Sequence, residues 1–240
     1  MRIRYLGGHV EVLEWMQKNG ALKKSNKAFF QMALLRDNVE VLQWLKDQGL
    51  QCEFWNNISC NLAARWNDKI FMWLVENGCP WDRKTAKCAA KAESLRPLQL
   101  LKAKGYTHWT EEVFAAAAFK GQLEGLIWLR GIECPFDGRS YLEAVRGQEW
   151  IMQYDIPRTP RLGPEYADDA DIHLMTWLKE NGCPWSAETC SLVAHTGNLK
   201  ALKWMRENGC SWDSRCIAAA KEIGNAEMLQ WLIENGCPSS

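Results

Sequence analysis

CPWSAETCSLVAHTGNLKALKWMRENG at 183–209 is followed at once by CSWDSRCIAAAKEIGNAEMLQWLIENG at 210–236, and both stretches follow one plan over 27 residues. Each opens on Cys, has Trp as its third residue, carries Gly-Asn midway and a second Trp later, and closes on Asn-Gly. In the first stretch the spacing predicts a helix over about 187–196. Ser186 serves as its N-cap, and Glu188 sits early, where a carboxylate suits the positive end of the helix dipole. Gly197-Asn198 makes the turn. A second helix is predicted over about 199–208, with Leu199, Leu202, Trp204 and Met205 at helical spacing, closed by Asn208-Gly209 and a glycine free to take the left-handed cap. Pro184 stands just past the preceding cap, where it cannot extend a helix.

Working outward, Trp15, Trp44, Trp73, Trp128, Trp150, Trp177, Trp204 and Trp231 mark the same plan along the chain, the last three intervals being 27 residues each. The step from Trp73 to Trp128 is 55, close to two periods, and Leu100 stands where the intervening Trp belongs. Cys79–Gly105 is a third clean unit. Helices of about ten residues are not stable alone in water, so they must bury their apolar faces on one another. The expected fold is an all-α helix-turn-helix repeat solenoid of about eight or nine units, one array over 1–240. The Trp series is predicted to form its core. A second series, Trp81, Trp185 and Trp212, is predicted to wedge between adjacent units, with Trp109 near the same register.

Ala-x-x-Gly-Asn-Leu-Lys-Ala-Leu-Lys-Trp-Met-Arg-Glu-Asn-Gly at 194–209 and Gly-His-Val-Glu-Val-Leu-Glu-Trp-Met-Gln-Lys-Asn-Gly at 8–20 resemble the ankyrin repeat. The likeness covers nearly the whole chain. An ordinary ankyrin unit is about 33 residues, with a protruding β-turn and a Thr-Pro-Leu-His opening. Here the unit is 27 and is joined through Cys-Pro-Trp-Asp, so the hairpin finger is expected to be missing. This short Glu-Asn-Gly-Cys-Pro-Trp variety is similar to arrays of giant DNA viruses and some protists. Some of those carry an F-box ahead of the array, which implies the alternative of substrate recognition for a ubiquitin ligase, but no such segment stands before Tyr5.

The plan fails in places. Between Trp128 and Trp150 the interval is 22, so the unit 134–155 is expected to have lost about one helical turn from its first helix or from the turn after it. Glu133 and Asp155 occupy usual Gly positions; Gly131 is expected to end its helix early, sparing Glu133 a left-handed conformation. Pro157, Pro160, Gly163 and Pro164 fall where the next first helix belongs, so 155–170 reads either as a kink separating 1–154 from 171–240 or as repeat decay. The first full first helix is expected over about 25–36, burying Phe29, Phe30, Met32 and Leu34. Neither end has a polar capping unit, so a fragment of a longer array, or a frayed first unit, is expected.

Lys plus Arg (29) equals Asp plus Glu (29), leaving no excess positive charge to track nucleic acid or an anionic membrane. There is no leader-like segment and no run of about 18 apolar residues, so a monomer in the cytoplasm, or the nucleus, is expected. Ten cysteines raise the question of metal or disulfides. Cys52, Cys79, Cys134, Cys183, Cys210 and Cys237 share one repeat position, however, and successive equivalents should lie about 10 Å apart, too far for either. Cys60, Cys88, Cys190 and Cys216 fall in first helices as small packing residues. Asp168, Asp169, Asp171 and His173 form the one cluster with cation chemistry, read more simply as a solvated face. Cys190 and His195 are a nominal thiol and base with neither an oxyanion donor nor an orienting group. No phosphate-binding loop or hydrolase motif is present.

No catalytic site, cofactor, metal or small-molecule substrate is therefore expected. The reading is a non-catalytic scaffold binding an unidentified protein on a concave and loop face. Candidate contacts are the polar positions at each loop and first-helix start: Trp55, Asn56, Arg83, Lys84, Lys87, Thr110, Glu111, Arg139, Glu188, Ser191, Ser214 and Arg215.

Overall fold

A computed structural model describes residues 10–20, 27–49, 55–153 and 170–239. Among them fifteen helices succeed one another and there is no strand. None is long and apolar enough to cross a membrane. The chain divides into two compact units, 1–108 and 109–240.

Unit 1 contains α1 (Val10–Lys18), α2 (Lys27–Leu35), α3 (Val39–Asp47), α4 (Asn57–Trp66), α5 (Asp68–Glu76), α6 (Arg83–Ala90) and α7 (Arg96–Ala103). Helices pair in sequence, α2 with α3, α4 with α5 and α6 with α7. The first helices α4 and α6 also pack side by side, as do the second helices α1, α3, α5 and α7 in succession.

Unit 2 contains α8 (Glu111–Lys120), α9 (Leu123–Gly131), α10 (Arg139–Gln153), α11 (Ala170–Glu180), α12 (Ala187–Ala194), α13 (Leu199–Glu207), α14 (Ser214–Glu222) and α15 (Ala226–Glu234). Here α8, α10, α12 and α14 form a row of first helices, each packed on the next, and α9, α11, α13 and α15 each pack on a first helix.

Side chains at the helix starts place these elements. Asn56, Asp82, Ser186 and Asp213 cap first helices, with full capping boxes at Asp82–Thr85 and Ser186–Thr189. Asn38, Asn67, Asn198 and Asn225 cap second helices through Oδ1 onto a backbone N–H three residues on. At the far end the Asn of Glu-Asn-Gly closes its own helix: Asn77, Asn181, Asn208 and Asn235 donate Nδ2 to the carbonyls of Trp73, Trp177, Trp204 and Trp231. Gly209, at φ 88°, then lets Cys210 N–H reach back to the Met205 carbonyl, satisfying a helix-end acceptor.

First helices bury small residues, Ala86, Ala89 and Ala90 in α6 and Ala115 to Ala118 in α8, which lets neighbouring backbones approach. Second helices bury large ones: Leu42 and Leu45, Ile70, Phe71 and Leu74, Leu126 and Leu129, Leu202 and Met205.

The Trp series corrects the expectation of a Trp core. Among the described side chains of the series only Trp44 is buried, Trp15 is 63% exposed, and Trp73, Trp128, Trp177, Trp204 and Trp231 are half-buried; the Trp150 side chain lies outside the described residues. The reason is angular. Leu202 and Met205 are three apart and share the core face, whereas Trp204 is two residues from Leu202 and lands on the flank. There it meets loop Trp rings edge-on: Trp55, which stands outside the second series, on Trp73, Trp109, near that series' register, on Trp128, and from the series itself Trp185 on Trp204 and Trp212 on Trp231, with centroids 5.5–5.9 Å apart. In the last two pairs the preceding second helix lays a cation over the loop ring, Lys179 over Trp185 and Arg206 over Trp212. Where Leu100 replaces the Trp, Trp81 packs on Tyr106 instead, and Tyr106 fills the place that Cys holds in other repeats.

Two irregularities resolve differently from expectation. α9 does run to Gly131, but Ile132 caps it and Glu133 itself takes φ 60°, so the left-handed residue is not avoided. The short unit 134–155 loses its interhelix turn altogether: α10 continues unbroken for 15 residues through Gly147. α12 then packs on α10. Gly138 makes this approach possible, since a Cβ there would stand 2.4 Å from Thr189 Oγ1 and 3.2 Å from the Pro184 carbonyl oxygen. The stretch read as a kink or decay, 155–170, lies almost wholly outside the described residues. α2 spans Lys27–Leu35 and buries Phe30, while Phe29, Met32 and Leu34 are only half-buried.

Candidate interaction surface

The polar positions singled out in the sequence cluster at the starts of first helices, and the caps determine what each side chain is free to do. In unit 1, Asn56 spends its side chain on the N–H groups of Ile58 and Ser59. Trp55 is half-buried between Phe30 and Trp73. Both are structural. Arg83 and Lys84 are exposed on the first turn of α6, with Lys87 half-exposed one turn on. The Asp82 cap beneath them is drawn upward by burial, but hydrogen bonds from Asn57, Thr85 and Lys84 outweigh that and hold its carboxyl below the usual range.

In unit 2, Thr110 precedes α8 without a side-chain capping bond, and Glu111 is half-exposed beside it. Arg139 and Arg215 are exposed but folded back on Asp137 and Asp213, at 2.7 and 2.8 Å. The Arg215 hydrogen bonds hold Asp213 below its ordinary value. Glu188 is exposed and Ser214 half-exposed. Ser191 is 5% exposed, its hydroxyl donating to the Glu188 carbonyl, so it does not reach the surface.

The repeated cysteines tie the ends of units to these same helix starts. Thiols of Cys79, Cys134, Cys183, Cys210 and Cys237 donate to the carbonyls of Asn56, Thr110, Asp137, Ser186 and Asp213, at 3.2–3.5 Å. Four of these acceptors cap first helices, and Asp137 stands two residues before α10. All nine described cysteines are free. Burial pushes Cys134 and Cys183 up to about 12. The thiols that meet are not repeat equivalents: Cys60 bonds with Cys79, and Cys190 with Cys210 and Cys216. Those hydrogen bonds, then burial, push Cys60 and Cys190 far up.

Cys190 is thus a protonated core thiol, while His195 is exposed near Glu222 at 3.8 Å. Of the acidic cluster, Asp168 and Asp169 and the Asp171 side chain lie outside the described residues, and His173 is exposed. Among the described residues no group of three His, Cys, Asp or Glu is placed to hold a metal ion.

α4 carries a further feature apart from those polar positions. Ile58, Leu62 and Trp66 are 62%, 55% and 65% exposed. The signal was available: α4 is apolar at 58, 62 and 66 as well as at its buried positions Cys60, Ala63 and Ala64, more than one face can bury. No family model matches the chain, and no curated protein matches it.

Proposed function

We propose that the chain is an ankyrin-like helical repeat array that serves as a non-catalytic scaffold, binding a protein partner through the loops and starts of its first helices. The observation that supports this best is the treatment of those starts. In each unit, charged side chains stand outward on backbone already fixed by capping boxes, Cys–carbonyl bonds and edge-on Trp pairs. A surface whose backbone is fixed in advance loses little conformational entropy on binding. In unit 2 the signs are mixed, Glu111 and Glu188 with Arg215, which suits a specific protein ligand better than a phosphate backbone. A monomer working in the cytoplasm or nucleus belongs to the same reading.

The test is affinity capture from a cell lysate with the intact chain, beside the triple variant Arg83→Glu, Lys87→Glu, Arg215→Glu, read by mass spectrometry. A protein retained by the parent and lost by the variant, with the variant's circular dichroism unchanged, is the expected result. Equal capture by both, or no capture by either, overturns the assignment of these residues.

A further inference from the structure

Ile58, Leu62 and Trp66 recur at i, i+4 and i+8 along α4, one row about 12 Å long at 1.5 Å per residue. With three large side chains more than half exposed, the row forms an apolar patch of a few hundred Å², the size at which patches on a folded chain tend to be functional. Beside it packs α6. Asn57 Nδ2 reaches Asp82 and Thr85 Oγ1 reaches Asn61, which fixes the side of α4 turned toward α6. Around the helix axis, the apolar row lies beyond that side, with Arg65 standing between the two. The Arg65 guanidinium sits 4.6 Å from the Trp66 ring centroid.

Charge on this layer is of one sign. α4 and α6 together carry Arg65, Arg83, Lys84 and Lys87 and no Asp or Glu. The adjoining carboxylate, Asp82, is turned into the α6 cap and the Asn57 amide. Half-exposed Cys88 is pushed up by burial, with positive charge from Arg65, Lys91 and Lys87 acting against that and Asp82 adding to it. This excess is local, since the whole chain is neutral and the first helices α8 and α12 open on Glu111, Glu112 and Glu188.

We infer that the α4–α6 face of unit 1 is a docking surface for an acidic amphipathic helix of a partner protein. Its apolar row would lie on Ile58, Leu62 and Trp66, and its carboxylates would face Arg65 and the Lys84 end of α6. The inference rests on the scaffold reading and adds the chemistry of the partner. Arg65 flanks the apolar row on its α6 side and Lys84 stands on the outer first turn of α6, so the outer face of α4 is the complement of a helix with apolar residues at i and i+4 and acids along one flank. A nucleic-acid base could stack on Trp66 but would leave Ile58 and Leu62 uncovered, whereas a helix with apolar residues at i and i+4 covers all three. A membrane-facing patch would have its cations ringing the apolar residues, whereas here they are set to one side.

The experiment is selection of a phage-displayed library of random 16-residue peptides on the intact chain. Synthetic copies of the enriched peptides are then measured by fluorescence anisotropy at low and moderate salt. Two variants are compared, Leu62→Ser/Trp66→Ser and Lys84→Glu/Lys87→Glu, both at surface positions and both checked for parental melting. Vesicles of phosphatidylcholine and phosphatidylserine serve as the alternative probe.

Enriched peptides rich in Asp and Glu with i, i+4 apolar spacing, binding at least tenfold more weakly to either variant and more weakly with added salt, are the expected result. Peptides bound equally by parent and both variants would overturn this surface while leaving a recognition scaffold standing. Peptides sensitive to the serine variant but without acidic bias would overturn the partner class. Vesicle binding lost in the variants, with no peptide enriched, would make the face a lipid contact and overturn both this inference and the scaffold reading. No binding of either probe would also overturn both.

Discussion

Glu133 holds φ 60° at the position where Gly78, Gly105, Gly182, Gly209 and Gly236 hold 75–88°. The geometry is imposed by the helix end: Glu133 N–H bonds the Arg130 carbonyl and Cys134 N–H the Leu129 carbonyl, the same closure that glycine makes elsewhere. A left-handed L-residue costs about 1–2 kcal/mol, so the burial of Cys134 and its thiol bond to Thr110 must outweigh that strain. Glu133→Gly is therefore expected to stabilise the chain, by about 0.5–1 kcal/mol after the extra unfolded-state entropy of glycine is subtracted. Gly209→Ala should destabilise by about 1–2 kcal/mol at the matching position. Urea denaturation of both variants checks the pair, and a stability loss in Glu133→Gly would mean that the carboxylate itself is used. Single residues were the least legible scale of this sequence. The period of the Trp residues could be read from their numbers, but their burial could not. Leu202 and Trp204 stand 200° apart around α13, so sharing a helix does not put them on one face. The site suffered similarly, because the role of Asn56 as a cap and the inward turn of Ser191 depend on rotamers that spacing does not specify.

At the scale of the element, four second helices, α3, α5, α13 and α15, are started by one device. Asn38 and Asn198, at φ −99°, ψ 85° and φ −76°, ψ 88°, each place Oδ1 on the N–H three residues ahead. Gln122 has the same backbone, φ −85°, ψ 86°, but makes no side-chain capping bond at the start of α9, since one more methylene moves its amide past the N–H. Gln122→Asn is expected to stabilise α9 by about 0.5–1 kcal/mol, and Asn198→Ala to cost α13 about 1 kcal/mol. Thermal melts followed by circular dichroism measure both, and no gain from Gln122→Asn would show that the glutamine already contributes as much through its other contacts. Helix existence and order were legible here because caps, Gly-Asn turns and Asn-Gly ends recur in register; the helices predicted at 187–196 and 199–208 are observed at Ala187–Ala194 and Leu199–Glu207. α10 was not legible in the same way. A deletion of five residues from a 27-residue period shortens a unit, but whether helix or turn disappears depends on the row of first helices, where α10 packs on both α8 and α12.

For the whole molecule, the question that bears on function is whether contacts couple only near neighbours, as a repeat array requires. Unit 2 allows a direct test. Leu202 is fully buried in α13, which packs on α11 and α12, whereas α8 and α9 connect to that end of the row through α10. Leu202→Ala removes three buried carbons and is expected to cost about 2–5 kcal/mol, depending on how far the site collapses. In an array the cost is local: amide exchange should speed up most in α12–α15, less in α10 and α11, and least in α8 and α9. In a single cooperative globule the same cost lowers the protection of every core amide in the unit equally, because each exchanges through global unfolding. Hydrogen exchange read by mass spectrometry separates the two gradients. A graded loss would support the ankyrin-like reading from energetics rather than from resemblance, and would mean that contact residues on first helices can be changed one unit at a time. A uniform loss would remove the array, and with it the argument that binding residues should recur at the helix starts.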